Sequence, residues 1–367
     1  MRILCVGGDW GDKPKESGLF RKIVEELPQA LEPGYGISMY NGGSMSELQD
    51  IVDNKIKDVD VVLWFASVSN SEEKIVNQIK ENNQKVILVT SKRDNSEYSF
   101  QELVAHALSV KANLTVSFSK IKDESNIQMS LYDPLGNVWA YCTSDYKFLT
   151  KQLGLRLNQL VKFTREGLFR VYDDNIQIPN DKEFFKYIRR SARKFHKLIV
   201  PANGVKRYLG NASFRCTKGG FPSMKFLGQV FVSKRNINKK DIGKNGFVRV
   251  WHDGEKTKYY GTEKPSVDTP IQVRLYNYYD LARYMIHSHT YLENPTVVTS
   301  TVIPCGALEE FDEIIKLMPS RDAINFGINL KGHGSLIIAS SVEAMKRFKH
   351  IARPIAERQY ISKDNKA

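Results

Sequence analysis

Residues 59–68 read VDVVLWFASV, a nearly unbroken apolar run bounded by polar sequence. A strand with one wet face alternates apolar and polar side chains, so a continuous run predicts a strand buried on both faces, as in a parallel sheet. Working outward, RILCVGG (2–8), GISMYNGG (36–43), KVILVTS (85–91) and LTVSFSK (114–120) have similar texture. Amphipathic stretches separate them, and Ser44 with Glu47, Ser69 with Glu72, and Ser99 with Glu102 give the S/T-x-x-E signal of a helix start. NIQMSLYDPLGNVWAYC (126–142) reads as a hairpin turning at Asp133-Pro134-Leu135-Gly136.

This strand-helix alternation predicts a Rossmann- or flavodoxin-like, doubly wound parallel sheet over residues 1–144. Residues 145–180 are expected to be a helical connector followed by a polar, proline-containing stretch. From 181 to 367 the pattern becomes α+β: a helix, then short strands with Gly and Asn turns, then the helical GALEEFDEIIKLM (306–318). At 367 residues, two domains are the natural expectation. The Gly-rich loop VGGDWGDKPKESG (6–18) matches neither the dinucleotide fingerprint nor the Walker pattern, and reads as a tight strand-to-helix turn. Amides at the helix start near Ser44 offer an anion site there.

The chain is 41% hydrophobic and 26% charged, the balance of a globular protein. No apolar run approaches the ~20 residues of a membrane span, and MRILCVGGDW reads as a strand rather than a secretory leader. Cys5, Cys142, Cys216 and Cys305 lack CxxC spacing, so a reduced, cytoplasmic protein is expected. The net charge of +13 fits nucleic acid or phosphorylated small molecules. The densest basic stretch, KYIRRSARKFHK (186–197), spaces Tyr187, Ile188 and Phe195 like a helix with an apolar side. It reads as a solvated helix face, with a nucleic-acid-binding role as the weaker alternative.

Four stretches of the second half stand in a particular order: LGNASFR (209–215), KPSVDTPIQVRLYNY (264–278), YMIHSHTY (284–291) and LKGHGSLIIASSVEAM (330–345). His287 and His289 are two apart in a predicted strand and so share a face, which suits two ligands of one metal or an ordinary buried pair. Together the four stretches resemble the class II aldolase/adducin family, whose pattern runs GN-x-S, PS-S-[ED]-T-P, H-[TS]-H and a later HG before a helix. That family includes fuculose- and rhamnulose-phosphate aldolases and ribulose-phosphate 4-epimerases. The resemblance covers roughly residues 184–360, and PSVDTP is closest to the epimerase branch.

The resemblance implies a metal-dependent aldolase or epimerase acting on a small, phosphorylated sugar through a metal-stabilised enediolate. His287, His289 and His333 would hold the divalent cation; nitrogen ligands favour zinc, with manganese or cobalt as alternatives. Asp268 would be the general acid/base, or, since Thr269-Pro270 follows it, a helix N-cap. Asn211, Ser213, Ser233 and Ser266 would bind the substrate and its phosphate. Tyr360 would be the tyrosine that a neighbouring subunit contributes, in a homo-oligomer that is commonly a tetramer. This chain departs from the pattern at Val267, Lys234 and Gln272, where the family has serine, glycine and often histidine. It is also shorter between His289 and Cys305. The adducin head keeps the architecture without the metal ligands, so a non-catalytic binding or scaffold protein is the alternative reading.

Overall fold

A computed structural model describes residues 1–68, 72–94, 100–120, 127–173, 176–198, 210–217 and 226–353. Tyr360, Ser69 and Ser99 lie outside the described residues. The strands are β1 (Arg2–Trp10), β2 (Gly36–Gly43), β3 (Val61–Val68), β4 (Ile87–Asp94), β5 (Leu114–Lys120), β6 (Ile127–Tyr132), β7 (Val138–Thr143), β8 (Leu168–Val171) and β9 (Asn211–Arg215). They continue with β10 (Val230–Ser233), β11 (Phe247–His252), β12 (Thr257–Tyr260), β13 (Tyr284–Ser288), β14 (Tyr291–Leu292), β15 (Val297–Val298), β16 (Phe326–Leu330), β17 (Gly334–Ala339) and β18 (His350–Ile351). The helices are α1 (Gly18–Ala30), α2 (Met45–Asp50), α3 (Glu72–Asn82), α4 (Phe100–Ser109), α5 (Tyr146–Lys162), α6 (Lys182–Leu198), α7 (Thr269–Tyr278), α8 (Glu309–Leu317) and α9 (Val342–Met345).

The chain is mixed α/β and divides into two compact units between Lys162 and Phe163. The first holds a seven-stranded sheet in the order β2-β1-β3-β4-β5-β6-β7. The pairs from β2 to β5 are parallel, and β6 and β7 are added antiparallel. The order 2-1-3-4-5 is a common one for doubly wound sheets. Residues 59–68 supply β3, which pairs with β1 and β4, and its side chains are buried on both faces. Leu4, Val6, Val62, Trp64 and Leu88 pack with Leu48, Ile51, Val76 and Ile79 on one side. On the other, Phe65 meets Phe20 of α1 at 5.6 Å between ring centroids.

Local signals act as the sequence indicates. Ser44 caps α2 with Glu47 in a reciprocal box. Asp133 Oδ1 accepts from the amides of Leu135 (2.9 Å) and Asn137 (3.0 Å) at the β6–β7 turn. One boundary differs from expectation. The helix taken for a connector is α5, and it belongs to the first unit. Its buried stripe of Leu149, Leu153 and Leu157 gives it a packing face, and Asn158 ties it to the end of α1 by donating to the Ala30 carbonyl at 3.2 Å.

The second unit is built on a nine-stranded sheet, β15-β16-β17-β13-β9-β10-β11-β12-β8, antiparallel except at its two outer pairs. Strand alternation divides its side chains. Ala212, Phe214, Phe231, Phe247 and Ile286 pack under Phe184, Phe185 and Ile188 of α6. Val230, Val232, Met285, Ile328 and Leu336 pack under Ile271 and Leu275 of α7 and Ile314 of α8. Among the described residues, no helix is long and apolar enough to cross a membrane.

Candidate metal centre

β13 lies between β9 and β17, with His287 opposite Asn211 and Leu336. Period-two alternation puts His287 on the side of Met285, toward α7 and α8. His289 follows just after the strand ends, and His333 sits in the β16–β17 turn. Two glycines permit this crossing. A Cβ on Gly210 would meet the His287 carbonyl oxygen at 2.5 Å, and one on Gly334 would meet that of Ser288 at 2.0 Å. No side chain fits such an approach, so the GN and GHG stretches carry glycine for a steric reason.

The three imidazoles form a triangle. Ring centroids are 5.1 Å apart for His287–His289, 4.7 Å for His287–His333 and 5.2 Å for His289–His333. One ring nitrogen of each lies within 4.8 Å of the others. His287 donates from Nδ1 to the Ser335 carbonyl at 3.0 Å, which leaves the Nε2 lone pair buried without a partner. His289 Nδ1 is also buried and unpartnered. His333 donates from Nδ1 to Glu310 Oε2 at 2.8 Å, and its Nε2 faces the Cys305 thiol at 3.1 Å. A carboxylate behind an imidazole fixes the tautomer and strengthens the opposite nitrogen as a ligand.

Burial, then the neighbouring His333, pushes His287 down to about 4. Burial also holds His289 well below its ordinary value, so both rings are neutral near pH 7, as ligands must be. Burial opposes charge on His333 as well, but Cys305 and Glu310 outweigh it and hold that ring well above its ordinary value. Buried lone pairs left without hydrogen bonds are costly. Two neutral ring nitrogens and a third, on His333, that binding of a cation would deprotonate converge on one place, one of them backed by a carboxylate, and together fit a divalent cation with open positions.

A second cluster adjoins the first. Asp268 is buried just before α7, and its side chain does not cap the helix. It turns inward: Oδ2 accepts from Asn211 Nδ2 at 2.7 Å and from the Ser266 hydroxyl at 3.3 Å, while Oδ1 is buried and unpartnered. Asn211 Nδ2 also reaches the Ser266 hydroxyl at 3.1 Å, and Gln272 Nε2 donates to Asn211 Oδ1. Gln272 therefore orients Asn211.

Ser213 and Ser233 are fully buried in the framework. The Ser213 hydroxyl meets that of Tyr276 at 3.1 Å, and Ser233 Oγ accepts from the Ala212 amide at 3.1 Å. These two hydroxyls hold strands and helix together. Lys234 pairs with Glu263 at 3.3 Å.

Three residues escaped the sequence reading. Glu310 and Cys305 flank His333, and Lys239 is a buried ammonium whose pKa burial lowers to about 8 against the pull of Asp268. Glu310 had a signal: it lies four residues before Ile314 on the buried stripe of α8. Lys239 had none, since NINKKDIGK offers several lysines in equivalent settings.

In the first unit, the Gly-rich loop closes on itself. Asp9 and Lys15 exchange backbone hydrogen bonds (2.8 and 3.2 Å), and the Gly11 amide donates to the Gly43 carbonyl at 3.0 Å. At the start of α2, the Ser44 and Glu47 amides are taken by the capping box, so they offer nothing to an anion.

No family model matches the chain, and neither does any curated protein. Among solved structures, a DNA/pantothenate metabolism flavoprotein from Streptococcus pneumoniae is similar at 10% identity and a TM-score of 0.34, over 43% of this chain and 99% of that one. YgbL from Klebsiella pneumoniae, which carries the provisional description aldolase/epimerase/decarboxylase, is similar at 12% identity and a TM-score of 0.30. That match spans 44% of this chain and 83% of YgbL.

Proposed function

We propose that the second unit is a metal-dependent lyase or epimerase acting on a small, phosphorylated sugar. The observation that carries this reading is the convergence of His287, His289 and His333 beside the unpartnered Oδ1 of Asp268. His287, His289 and His333 would hold the cation, zinc being favoured by three nitrogens, with manganese or cobalt as alternatives. Bound there, it would supply Lewis-acid stabilisation to negative charge developing on a substrate carbonyl oxygen.

The chain's own residues then divide the work. Asp268 takes and returns a proton at Oδ1, the oxygen left free, while Asn211 and Ser266 hold Oδ2 and fix the carboxylate plane. Gln272 keeps the Asn211 amide turned toward Asp268. Lys239 adds a positive charge near Asp268, suited to an anionic group on the substrate. Tyr360 of a neighbouring subunit would complete the site in a homo-oligomer, a tetramer by the family resemblance.

The test is elemental analysis of the purified chain beside a His287→Ala, His289→Ala variant, then a screen of ketose phosphates with wild type and Asp268→Asn. About one divalent ion per chain is expected, lost in the double variant, with turnover that Asp268→Asn lowers by roughly 10²–10⁴-fold. A chain that takes up no metal after soaking in zinc, manganese or cobalt would overturn the enzyme reading and leave a binding protein.

A further inference from the structure

A cavity of about 830 Å³ opens in the second unit between α6 and residues 342–350, apart from the histidine triangle. Its charge is one-sided. Lys186, Arg190 and Lys194 recur every fourth residue on α6 and line one wall, and Lys346 and Lys349 line the other. Glu183 is the one acidic residue in the lining. Lys346 is engaged by Glu343 and Lys349 by Glu293. Among the described residues, no carboxylate pairs with Lys186, Arg190 or Lys194. Three like charges facing one concavity repel one another, and a bound anion relieves that repulsion.

The cavity also has an apolar side, formed by Tyr187, Val342 and Phe348. His350 lines it as well, with Nδ1 at 2.9 Å from the Thr290 hydroxyl and Nε2 buried without a partner. Burial, with Lys194 beside it, lowers His350 to about 4, so the ring is neutral near pH 7. When Thr290 donates to Nδ1, Nε2 carries the hydrogen and is a donor without an acceptor. A solvated helix face, the expectation for residues 186–197, has no need of a cavity or of an aromatic wall.

We propose that this cavity binds a nucleotide: a small molecule whose phosphates meet Lys186, Arg190 and Lys194 and whose base lies along Tyr187 and Phe348. The volume falls within the range of small-ligand sites. Cations gathered on a concave wall suit a compact polyanion, whereas a duplex backbone is tracked by charges spread over a wider surface.

The test uses the full chain, titrated calorimetrically with ADP and with inorganic tripolyphosphate at about 0.15 M salt. Arg190 and Lys194 are exposed, so an Arg190→Ala, Lys194→Ala variant keeps the packing of α6. Saturable binding of one ADP per chain is expected, weakened at least about tenfold in that variant, with metal content unchanged. Phe348→Ala should weaken ADP while leaving tripolyphosphate as it was. The proposal is overturned if ADP shows no saturable binding at millimolar concentration or binds the double variant equally well. A short RNA duplex that binds tighter than ADP, and loses that binding in the double variant, would also overturn it.

Discussion

Phe65 on β3 and His287 on β13 are both buried in interior strands of their sheets, yet their surroundings differ in kind. Phe65 touches rings, Phe20 at 5.6 Å and Phe118 at 5.7 Å between centroids. His287 faces two more imidazoles, with a buried lone pair that nothing accepts or donates to. Burying Phe65 stabilises the fold through hydrocarbon contact and water removal. Burying His287 works against stability until something fills the triangle. A sheet that carries such a group in its middle sacrifices stability for a site, and the two units should therefore respond oppositely to perturbation.

Phe65→Ala should produce the largest change. Removing a fully buried aromatic side chain costs about 3–5 kcal/mol, read as a lower urea midpoint for the first unit. Metal content of the folded chain should stay at the wild-type level. A metal loss of equal size would show that the units are not separable in this sense.

Acid should produce the next largest, and in the second unit. His287 is held at about 4 against an ordinary 6.5, chiefly by burial. Between those values the unfolded chain binds a proton that the folded chain refuses, so stability falls as pH drops from about 6.5 to about 4 and is level above. One pKa unit corresponds to about 1.4 kcal/mol, so His287 alone accounts for a loss of about 3 kcal/mol at pH 4. In the metal-free chain, prepared with a chelator, urea midpoints at pH 7, 5.5 and 4.5 should fall less steeply in His287→Gln than in wild type. Parallel curves would mean that this ring does not titrate as its burial requires.

The contrast explains what was legible beforehand. Strand β3 could be read from an apolar run because burial on both faces leaves a local trace, and the Ser44 box and the Asp133 turn are contained within a few residues. His287 and His289 were visible as a pair for the same reason: they are two residues apart at the end of a strand. The partners of Ser213 and Ser233 within the protein were not legible, because whether a strand hydroxyl meets Tyr276 or a neighbouring amide depends on which element crosses it, and that is not written nearby. Cys305 and Lys239 enter the site through loops whose course is set by distant packing. Glu310 lies between these cases, an acid on an apolar helical stripe.

Glu310 supplies the third effect. Glu310→Gln keeps shape and a hydrogen bond to His333 while removing the charge that orients the ring as a ligand. Losing such a partner lowers metal affinity by about 10–100-fold, or about 1.4–2.7 kcal/mol. Competition against a chromogenic zinc chelator would measure it. An unchanged affinity would mean that Glu310 only satisfies a buried imidazole.

The smallest effect returns to the first unit. Ser44 Oγ accepts from the Glu47 amide at 3.3 Å, and Glu47 Oε2 accepts from the Ser44 amide at 2.8 Å. Ser44→Ala removes the side-chain half of this exchange and leaves an amide at the start of α2 dependent on water. The expected loss is about 1 kcal/mol of first-unit stability, with metal affinity unchanged, whereas Ser44→Asp, which restores an acceptor, should recover most of it. A shift in zinc affinity with Ser44→Ala would break the comparison where it is most exposed. It would mean that a helix cap of the first unit bears on a metal site whose three histidines belong to the second.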